Sequence, residues 1–141
     1  GLDLLQVLVN LTVNALQFSP EPHPVELYAK VLLDGGARPF TQNSPGTLFL
    51  PSPEFPLHKG LIAISVQDNG PGMNSRTLER IFEAYFTTKP PGQGTGLGLS
   101  IVRRLVFQAA GAVHVYSHPG EGTVFTVYFP LHAPSRAPVG G

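Results

Sequence analysis

The sequence contains no cysteine, and charged residues make up only 13% of it, against roughly a quarter in typical globular domains. Without cysteine, a disulfide framework, a thiolate metal site and a cysteine nucleophile are all excluded. The five histidines lack a paired metal-ligand spacing, which disfavours structural zinc. Nine Lys plus Arg balance nine Asp plus Glu, so there is no global field to attract nucleic acid or an anionic membrane. An anionic ligand would have to be met by a local arrangement of groups.

Long apolar runs are missing as well. No stretch approaches the roughly 18 residues that a membrane helix needs, and the first residues lack a basic, then apolar, secretory pattern. We therefore expect a cytoplasmic domain without membrane contact. Gly1-Leu2-Asp3 leads directly into helical sequence, from which we expect the domain to be part of a longer protein whose membrane attachment is left open.

The 141 residues, 42% of them apolar, suffice for one globular domain. Hydrophobic periodicity predicts helices over 3–18, 76–84 and 99–110, and strands over 25–33, 61–68, 112–117 and 123–129. The Pro- and Gly-rich stretch 34–59 is assigned no fixed structure, and 131–141 is predicted to be a frayed tail. This order predicts an α+β fold, a two-layer sandwich whose mixed sheet carries helices on one face.

The first helix is predicted to be mostly buried. Asp3 is its expected N-cap with Gln6 as the reciprocal partner, and Leu5, Val9 and Leu16 are expected to widen its apolar stripe. The remaining polar seam has helical spacing and consists of Gln6, Asn10, Asn14 and Gln17.

Asn10 and Asn14 lie one helical turn apart and present two neutral carbonyl oxygens. Burying them costs free energy unless something pairs with them. Mg²⁺ takes such oxygen ligands beside substrate phosphates, but hydrogen bonds to a neighbouring loop would satisfy the amides equally well.

Asp68 ends a predicted strand and shares its parity with Ile64 and Val66, so its carboxylate should point into the core. Amides of the following turn or an exocyclic amine of a ligand could supply its donors. Gly70 and Gly72 would let backbone approach a flat ligand closely, or would simply make the turn.

Glycines alternate at positions 92, 94, 96 and 98, just before a predicted helix that we expect to end at Gly111. Such a loop offers backbone amides and a helix N-terminus to phosphate oxygens, although a plain flexible loop is the alternative. It matches neither the P-loop nor the dinucleotide fingerprint. Phe82, Tyr85 and Phe86 would anchor this segment, and Lys89 would either meet a phosphate or be solvated.

Five motifs together carry a resemblance to a known family. They are Asn10-Leu-Thr-Val-Asn14-Ala15, Asp68-Asn-Gly-Pro-Gly72, Phe82-Glu-Ala-Tyr-Phe86-Thr-Thr-Lys89, Gly94-Thr-Gly96-Leu-Gly98-Leu and Gly120-Glu-Gly122-Thr123. In this order they resemble the N box, the first glycine box, the F box and the two further glycine boxes of sensor histidine kinases. The resemblance covers residues 2–130 and implies the Bergerat ATP-binding fold, with residues 1–130 as the catalytic domain and 34–59 as an insertion.

The resemblance also implies roles for individual residues. Asp68 would accept the adenine amino group, Thr123 would support it through water, and Gly72 would pack near the base. Asn14 would ligate Mg²⁺, with Asn10 assisting and Lys89 contacting the terminal phosphates; these three form the expected catalytic set. The nucleotide-binding set would comprise Asn10, Asn14, Asp68, Gly70, Gly72, Lys89, Gly94, Thr95, Gly96, Leu97, Gly98 and Thr123.

Family members often carry Lys and Tyr where Gln17 and Phe18 stand here, so one cationic phosphate contact would be absent or moved to Lys89 or Arg103. None of the histidines has the acidic and proline context of the family's phosphoacceptor site. The resemblance therefore implies ATP and Mg²⁺ as cofactors, a histidine on a separate dimerisation domain as acceptor, a response regulator as later partner, and a monomeric domain.

Two other functions stay open on sequence grounds. A gyrase- or chaperone-like ATPase clamp would need a general base, but an amide, Asn10, stands where those relatives have glutamate. A degenerate nucleotide-binding or interaction module is disfavoured by the presence of Asn14, Asp68, Gly72 and Gly96.

Overall fold

The computed structural model describes residues 4–17, 24–33, 46–56, 59–83 and 98–131. Its helices are α1 (Leu4–Gln17), α2 (Ser75–Leu78) and α3 (Gly98–Gln108), and its strands are β1 (Val25–Leu32), β2 (Thr47–Pro51), β3 (Leu61–Asp68), β4 (Ala112–His118) and β5 (Gly122–Pro130). None of the described helices combines the length and apolarity needed to cross a membrane.

The strands form a five-stranded sheet in the order β1-β3-β5-β4-β2. The α+β sandwich is confirmed, but every pairing between the described strands is antiparallel, where the sequence predicted a mixed sheet. The long-range pairing of β3 with β5 is antiparallel, and β2, which lies within the stretch that was assigned no structure, adds to the sheet antiparallel to β4.

Most of the core lies between the helices and one face of the sheet. Inward residues of α1 and α3, such as Leu11 and Val102, pack there against strand residues such as Val66 and Phe125. A smaller cluster on the opposite face contains Phe55 and Tyr128, and Phe55 comes from the segment after β2. Ser52 ties this segment to the end of α3, because its N–H donates to the Gly111 carbonyl over 3.0 Å.

Helix α1 is less buried than predicted. Its inward face is formed by Val7, Leu11 and Ala15, whereas Leu5 is 73% exposed and Leu16 is 55% exposed. Burial follows the 3.6-residue period around Val7, so the extra apolar residues lie on the side away from the sheet. The expected cap Asp3 lies outside the described residues.

Helix α3 ends differently from the prediction. Ala110, not Gly111, adopts the left-handed conformation, with φ of 59°, and the Gly111 N–H donates to the Val106 carbonyl over 3.0 Å. A Cβ at Gly111 would overlap the Tyr128 carbonyl oxygen. Glycine is therefore required at 111 because the chain passes close to β5, and not because of the helix cap.

The helix predicted over 76–84 is short, since regular structure ends at Leu78 and turns continue to Glu83. Asn74 is its N-cap, and the Asn74 side chain accepts from the Thr77 N–H over 2.9 Å. The turn residues place Phe82 in the core, where its ring meets Phe125 edge to face at 6.4 Å.

Candidate functional site

Asp68 is the last residue of β3 and points toward the helices, as its parity with Val66 predicts. The residue is only 1% exposed. Its Oδ1 accepts from the Gly70 N–H over 2.8 Å, so the turn supplies one of the donors that a buried carboxylate needs. A carboxylate has about four acceptor positions on its two oxygens, so the bond from Gly70 is compatible with a further donor from a ligand.

The turn that follows Asp68 is interlocked with the hairpin between β4 and β5. The Gly120 N–H donates to the Pro71 carbonyl over 2.7 Å. Gly72 has φ of 74°, and a Cβ there would overlap the His118 carbonyl oxygen. Gly122 has φ of 82°, and a Cβ there would overlap the Asp68 carbonyl oxygen. These two glycines therefore allow two backbone turns to touch directly beside Asp68.

Asp68, Thr123 and Ser117 form a row across three neighbouring strands. Asp68 is the register partner of Thr123, and Thr123 is the register partner of Ser117. Paired residues of antiparallel strands project from the same face, so all three side chains lie on the helix side of the sheet. Thr123 and Ser117 are each 1% exposed, and their hydroxyl oxygens are 2.8 Å apart.

The sequence prediction included Asp68 and Thr123 but missed Ser117. A polar residue at the last inward position of a predicted strand was the available signal, because Val113 and Val115 share that face of β4. Its significance comes from the register with Thr123, which the sequence of β4 alone does not specify.

Asn10 and Asn14 lie on α1 as predicted, but their amides have different surroundings. The Asn10 Nδ2 donates to the carbonyl of Gly98, the first residue of α3, over 3.4 Å. The Asn14 Nδ2 is buried, and no acceptor for it is found in the described part of the chain. A hydrogen bond to a neighbouring segment thus explains the position of the Asn10 amide. The Asn14 Nδ2 still needs an acceptor from outside the described residues.

Gly98 opens α3 next to Asn10. Among the described residues, a Cβ at Gly98 would have no atom within 4 Å, so packing against them does not require glycine at this position. A helix N-terminus whose backbone a ligand can approach closely is typical of phosphate binding.

Part of the predicted site falls outside the described residues. These positions are Lys89, Gly94, Thr95, Gly96 and Leu97, together with the anchor residues Tyr85 and Phe86. Arg103, the alternative cation, is described: its guanidinium carbon lies 5.6 Å from the Phe107 ring centroid. It lines a surface cavity of about 770 Å³ together with Phe82 and Arg104.

The geometry combines two groups of residues on the helix side of the sheet. Asp68, Thr123 and the touching glycine turns form the first, at the end of β3 and β5. Asn10, Asn14 and Gly98 form the second, where α1 meets α3. A buried carboxylate suits a ligand amine, whereas amides and a helix N-terminus suit phosphate oxygens and a hard cation.

Comparison with known proteins identifies the family of this chain. Residues 1–133 match the family described as "Histidine kinase-, DNA gyrase B-, and HSP90-like ATPase". The sensor kinase CckA of Brucella abortus is 35% identical over 89% of this chain, and the sensor histidine kinase ZraS of Escherichia coli K12 is 33% identical over 97%. The matched region spans only 12% of that CckA and 23% of that ZraS.

Solved structures of histidine kinases also resemble this chain. Full-length ShkA in complex with AMPPNP matches with a TM-score of 0.63 and 34% identity, covering 96% of this chain and 23% of ShkA. The catalytic domain of histidine kinase ThkA matches with a TM-score of 0.59 and 26% identity, covering 90% and 65% of the two chains. The chain therefore belongs to the histidine kinase-, DNA gyrase B- and HSP90-like ATPase family, in which its relatives are sensor histidine kinases.

Proposed function

We propose that this domain binds ATP with Mg²⁺ and presents the γ-phosphoryl group to a histidine on a separate dimerisation domain of the same full-length protein. The observation that carries the proposal is the buried Asn14 Nδ2, for which the described residues supply no acceptor. A buried donor without an acceptor costs about 1–3 kcal/mol, and a phosphate oxygen would satisfy it. A response-regulator aspartate would receive the phosphoryl group next.

The base would bind at the end of β3. Asp68 would accept from the exocyclic amine of adenine, with Thr123 beside it in the neighbouring strand. Gly70 holds the carboxylate from the turn side, which fixes its orientation before any ligand arrives. Preorganised acceptors of this kind favour a ligand that carries a donor at the matching position.

The phosphates would bind where α1 meets α3. Asn10 joins the two helices through the Gly98 carbonyl, and Asn14 lies one turn further along α1. We assign Lys89 and the loop residues Gly94, Thr95, Gly96 and Leu97 to the same phosphate region. This assignment rests on the family's motif order.

The residues present fit a magnesium ion. The Asn14 side chain would offer the ion a hard carbonyl oxygen, and its Nδ2, which has no acceptor in the described structure, would donate to a phosphate oxygen of the nucleotide. When bound, Mg²⁺ would neutralise charge on the terminal phosphates.

Phosphoryl transfer of this kind depends on positioning and charge neutralisation. The acceptor imidazole nitrogen would form a P–N bond as the bond between the γ-phosphorus and the bridging oxygen breaks, with ADP as leaving group. Asn10 cannot act as a general base, because a neutral amide does not take a proton from water. This argues against an ATPase clamp. We propose that the domain is a cytoplasmic monomer, since ATP is its substrate and its partner domain is the dimerising one.

Calorimetry with ATP, ADP and Mg²⁺ tests the proposal. The wild-type chain should bind ATP with Mg²⁺, and Asp68→Asn should weaken that binding by about 1–3 kcal/mol, because an amide donor would then face the adenine amine. Glu26→Gln is the control, since Glu26 is an exposed acid on β1 and should not alter the affinity.

Absence of nucleotide binding by the folded wild-type chain would contradict the proposal and favour a degenerate interaction module. Rapid steady-state ATP hydrolysis by the isolated domain would favour the ATPase clamp instead.

A further inference from the structure

The hydroxyl of Ser117 occupies the centre of a buried hydrogen-bond network next to the proposed base site. Its Oγ accepts from the Met73 N–H over 2.8 Å and donates to the Gly122 carbonyl over 3.1 Å. It also lies 2.8 Å from the Thr123 Oγ1. Ser117 therefore joins the turn after Asp68 to both the start and the first inward residue of β5.

The hydrogen count at Ser117 determines the direction of the remaining bond. A serine hydroxyl has one hydrogen and two acceptor lone pairs. We assign the hydrogen to the Gly122 carbonyl, which can only accept, and one lone pair to the Met73 N–H, so that the contact with Thr123 uses the second lone pair. Thr123 is then the donor to Ser117, and its hydroxyl can only accept from any other group.

This direction matters because Thr123 is the register partner of Asp68 on the same face of the sheet. An ionised carboxylate also only accepts. Asp68 and Thr123 thus present a surface of acceptors, which suits a base edge with an amine and repels one with a carbonyl oxygen.

We propose that Ser117 is a positioning residue that holds Thr123 as a hydrogen-bond acceptor and thereby makes the base site select a 6-amino purine over a 6-oxo purine. The inference rests on the proposed nucleotide-binding function. Ser117 acts through Thr123 and the turn, without contacting the base.

The test compares the dissociation constants of ATP and inosine triphosphate, both with Mg²⁺. Inosine carries a 6-carbonyl in place of the amine and an N1–H in place of the bare N1 of adenine, and it lacks the 2-amino group of guanine, so the comparison confines the change to the edge of the base at positions 1 and 6. In Ser117→Ala the Thr123 hydroxyl loses its acceptor and becomes free to donate to that carbonyl. We expect the preference for ATP to fall about tenfold, which corresponds to one hydrogen bond.

Ser65→Ala is a matched control. Ser65 and Thr126 form another buried pair of hydroxyls on the same sheet, with oxygens 2.8 Å apart and each residue 7% exposed. Ser65 lies on the opposite face of β3 from Asp68, because side chains alternate between the two faces of a strand and these residues are an odd number of positions apart. Its removal should leave the ratio of the two dissociation constants unchanged, even where stability falls by as much as in Ser117→Ala.

A second variant isolates the role of Thr123. Thr123→Val keeps the shape of the side chain without a hydroxyl, so the double variant Ser117→Ala with Thr123→Val should lose the gained affinity for inosine triphosphate. If Ser117→Ala does not fold, Ser117→Cys takes its place, because a thiol fills the site but is a weak acceptor. The change in ratio should then have the same direction and a smaller size.

The possible results distinguish failure of the proposed role of Ser117 from failure of the proposed nucleotide-binding function. Failure of the wild-type chain to bind either nucleotide would refute the proposed function. Binding of ATP and inosine triphosphate with equal affinity by the wild-type chain would refute the base selection, and with it the assignment of Asp68 to the base amine, but not nucleotide binding itself. An unchanged ratio in the folded Ser117 variant would do the same.

Discussion

Asn10 and Asn14 are the same residue type on the same face of α1, yet the hydrogen bonding of their side-chain amides differs. Asn10 donates to the Gly98 carbonyl, whereas the buried Asn14 Nδ2 finds no acceptor within the described chain. A fold that keeps such a donor loses stability, and sites for ligands are where such losses are tolerated. The difference supports the proposal that the Asn14 amide binds a ligand, while the Asn10 amide also joins α1 to α3.

Replacing Asn14 by leucine should separate stability from binding. Asn14→Leu removes a buried donor without a partner while keeping a similar volume, so the free energy of unfolding should stay unchanged or rise by about 1 kcal/mol. Affinity for ATP with Mg²⁺ should fall at least about tenfold. Urea unfolding and calorimetry measure the two effects.

Asn10→Leu provides the comparison, because it removes the bond to Gly98 and should lower the free energy of unfolding by about 0.5–1.5 kcal/mol. A clear loss of stability in Asn14→Leu would show that the Asn14 amide serves the fold itself.

His114 should make stability depend on pH. It lies on β4, with its ring 6.5 Å from that of Phe49, and burial lowers its pKa from the ordinary value of 6.5. The unfolded chain therefore binds this proton more readily than the folded chain, and the free energy of unfolding falls as pH drops below about 6.5. Above that pH both states are neutral at His114 and the residue contributes no pH dependence.

Urea unfolding at pH 7.5 and pH 5, two values chosen to bracket about 6.5, checks this expectation. His114→Gln should lose less stability than the wild type between the two values. Equal losses in the two proteins would assign the acid sensitivity to other groups.

The glycines at the two ends of helix α3 differ in whether packing requires them. Gly111 lies against β5, where a Cβ would overlap the Tyr128 carbonyl oxygen and approach the Val106 Cγ1 to 2.9 Å. At Gly98, at the other end of α3, an added Cβ would meet no atom of the described residues within 4 Å. Close packing therefore requires glycine at one end of the helix, while the described contacts do not require it at the other end.

Alanine at these two positions should give opposite results. Gly111→Ala should lower the free energy of unfolding by about 1–3 kcal/mol through overpacking. Gly98→Ala should leave it unchanged or raise it by up to about 1 kcal/mol through helix propensity, yet weaken ATP binding by about tenfold. Thermal unfolding with and without nucleotide measures both variants. Full ATP affinity in Gly98→Ala would remove the start of α3 from the proposed phosphate site.

The whole molecule positions the site through the order of its sheet. Strands β3, β5 and β4 are neighbours, and the residues Asp68, Thr123 and Ser117 come together because their register aligns them. In the proposed reaction the acceptor histidine lies on a separate dimerisation domain. The described residues contain two histidines: His114 is half-buried on β4, and the His118 ring packs edge to face on Tyr116 at 5.0 Å.

We therefore predict that this domain alone binds ATP but forms no stable phosphoprotein. Incubation with γ-labelled ATP should leave the chain unlabelled, whereas supplying the histidine-bearing dimerisation domain of the same protein should yield an acid-labile, base-stable label on that domain. Label retained on the isolated chain would contradict the prediction.

Local pattern was sufficient to predict much of this protein. Alternation identified β3 and β5, parity placed Asp68 inward, and the ordered motifs identified the family, because such signals depend on residues close together in the chain. The burial of α1 was overestimated for the same reason: composition shows that Leu5 and Leu16 are apolar, but not which side of the helix meets the sheet.

Only the tertiary structure decided how distant segments meet. The strand β2 lies in a proline-rich stretch for which the sequence predicted no fixed structure, and its pairing with β4 stabilises it. Gly111 was expected to cap α3, but its smallness is needed for the passage beside β5. Ser117 acquires its role from contacts with Met73 and Thr123, which its neighbours in sequence do not specify. Pairing between strands depends on the register of the whole sheet, so these features follow from the folded chain and not from any one segment.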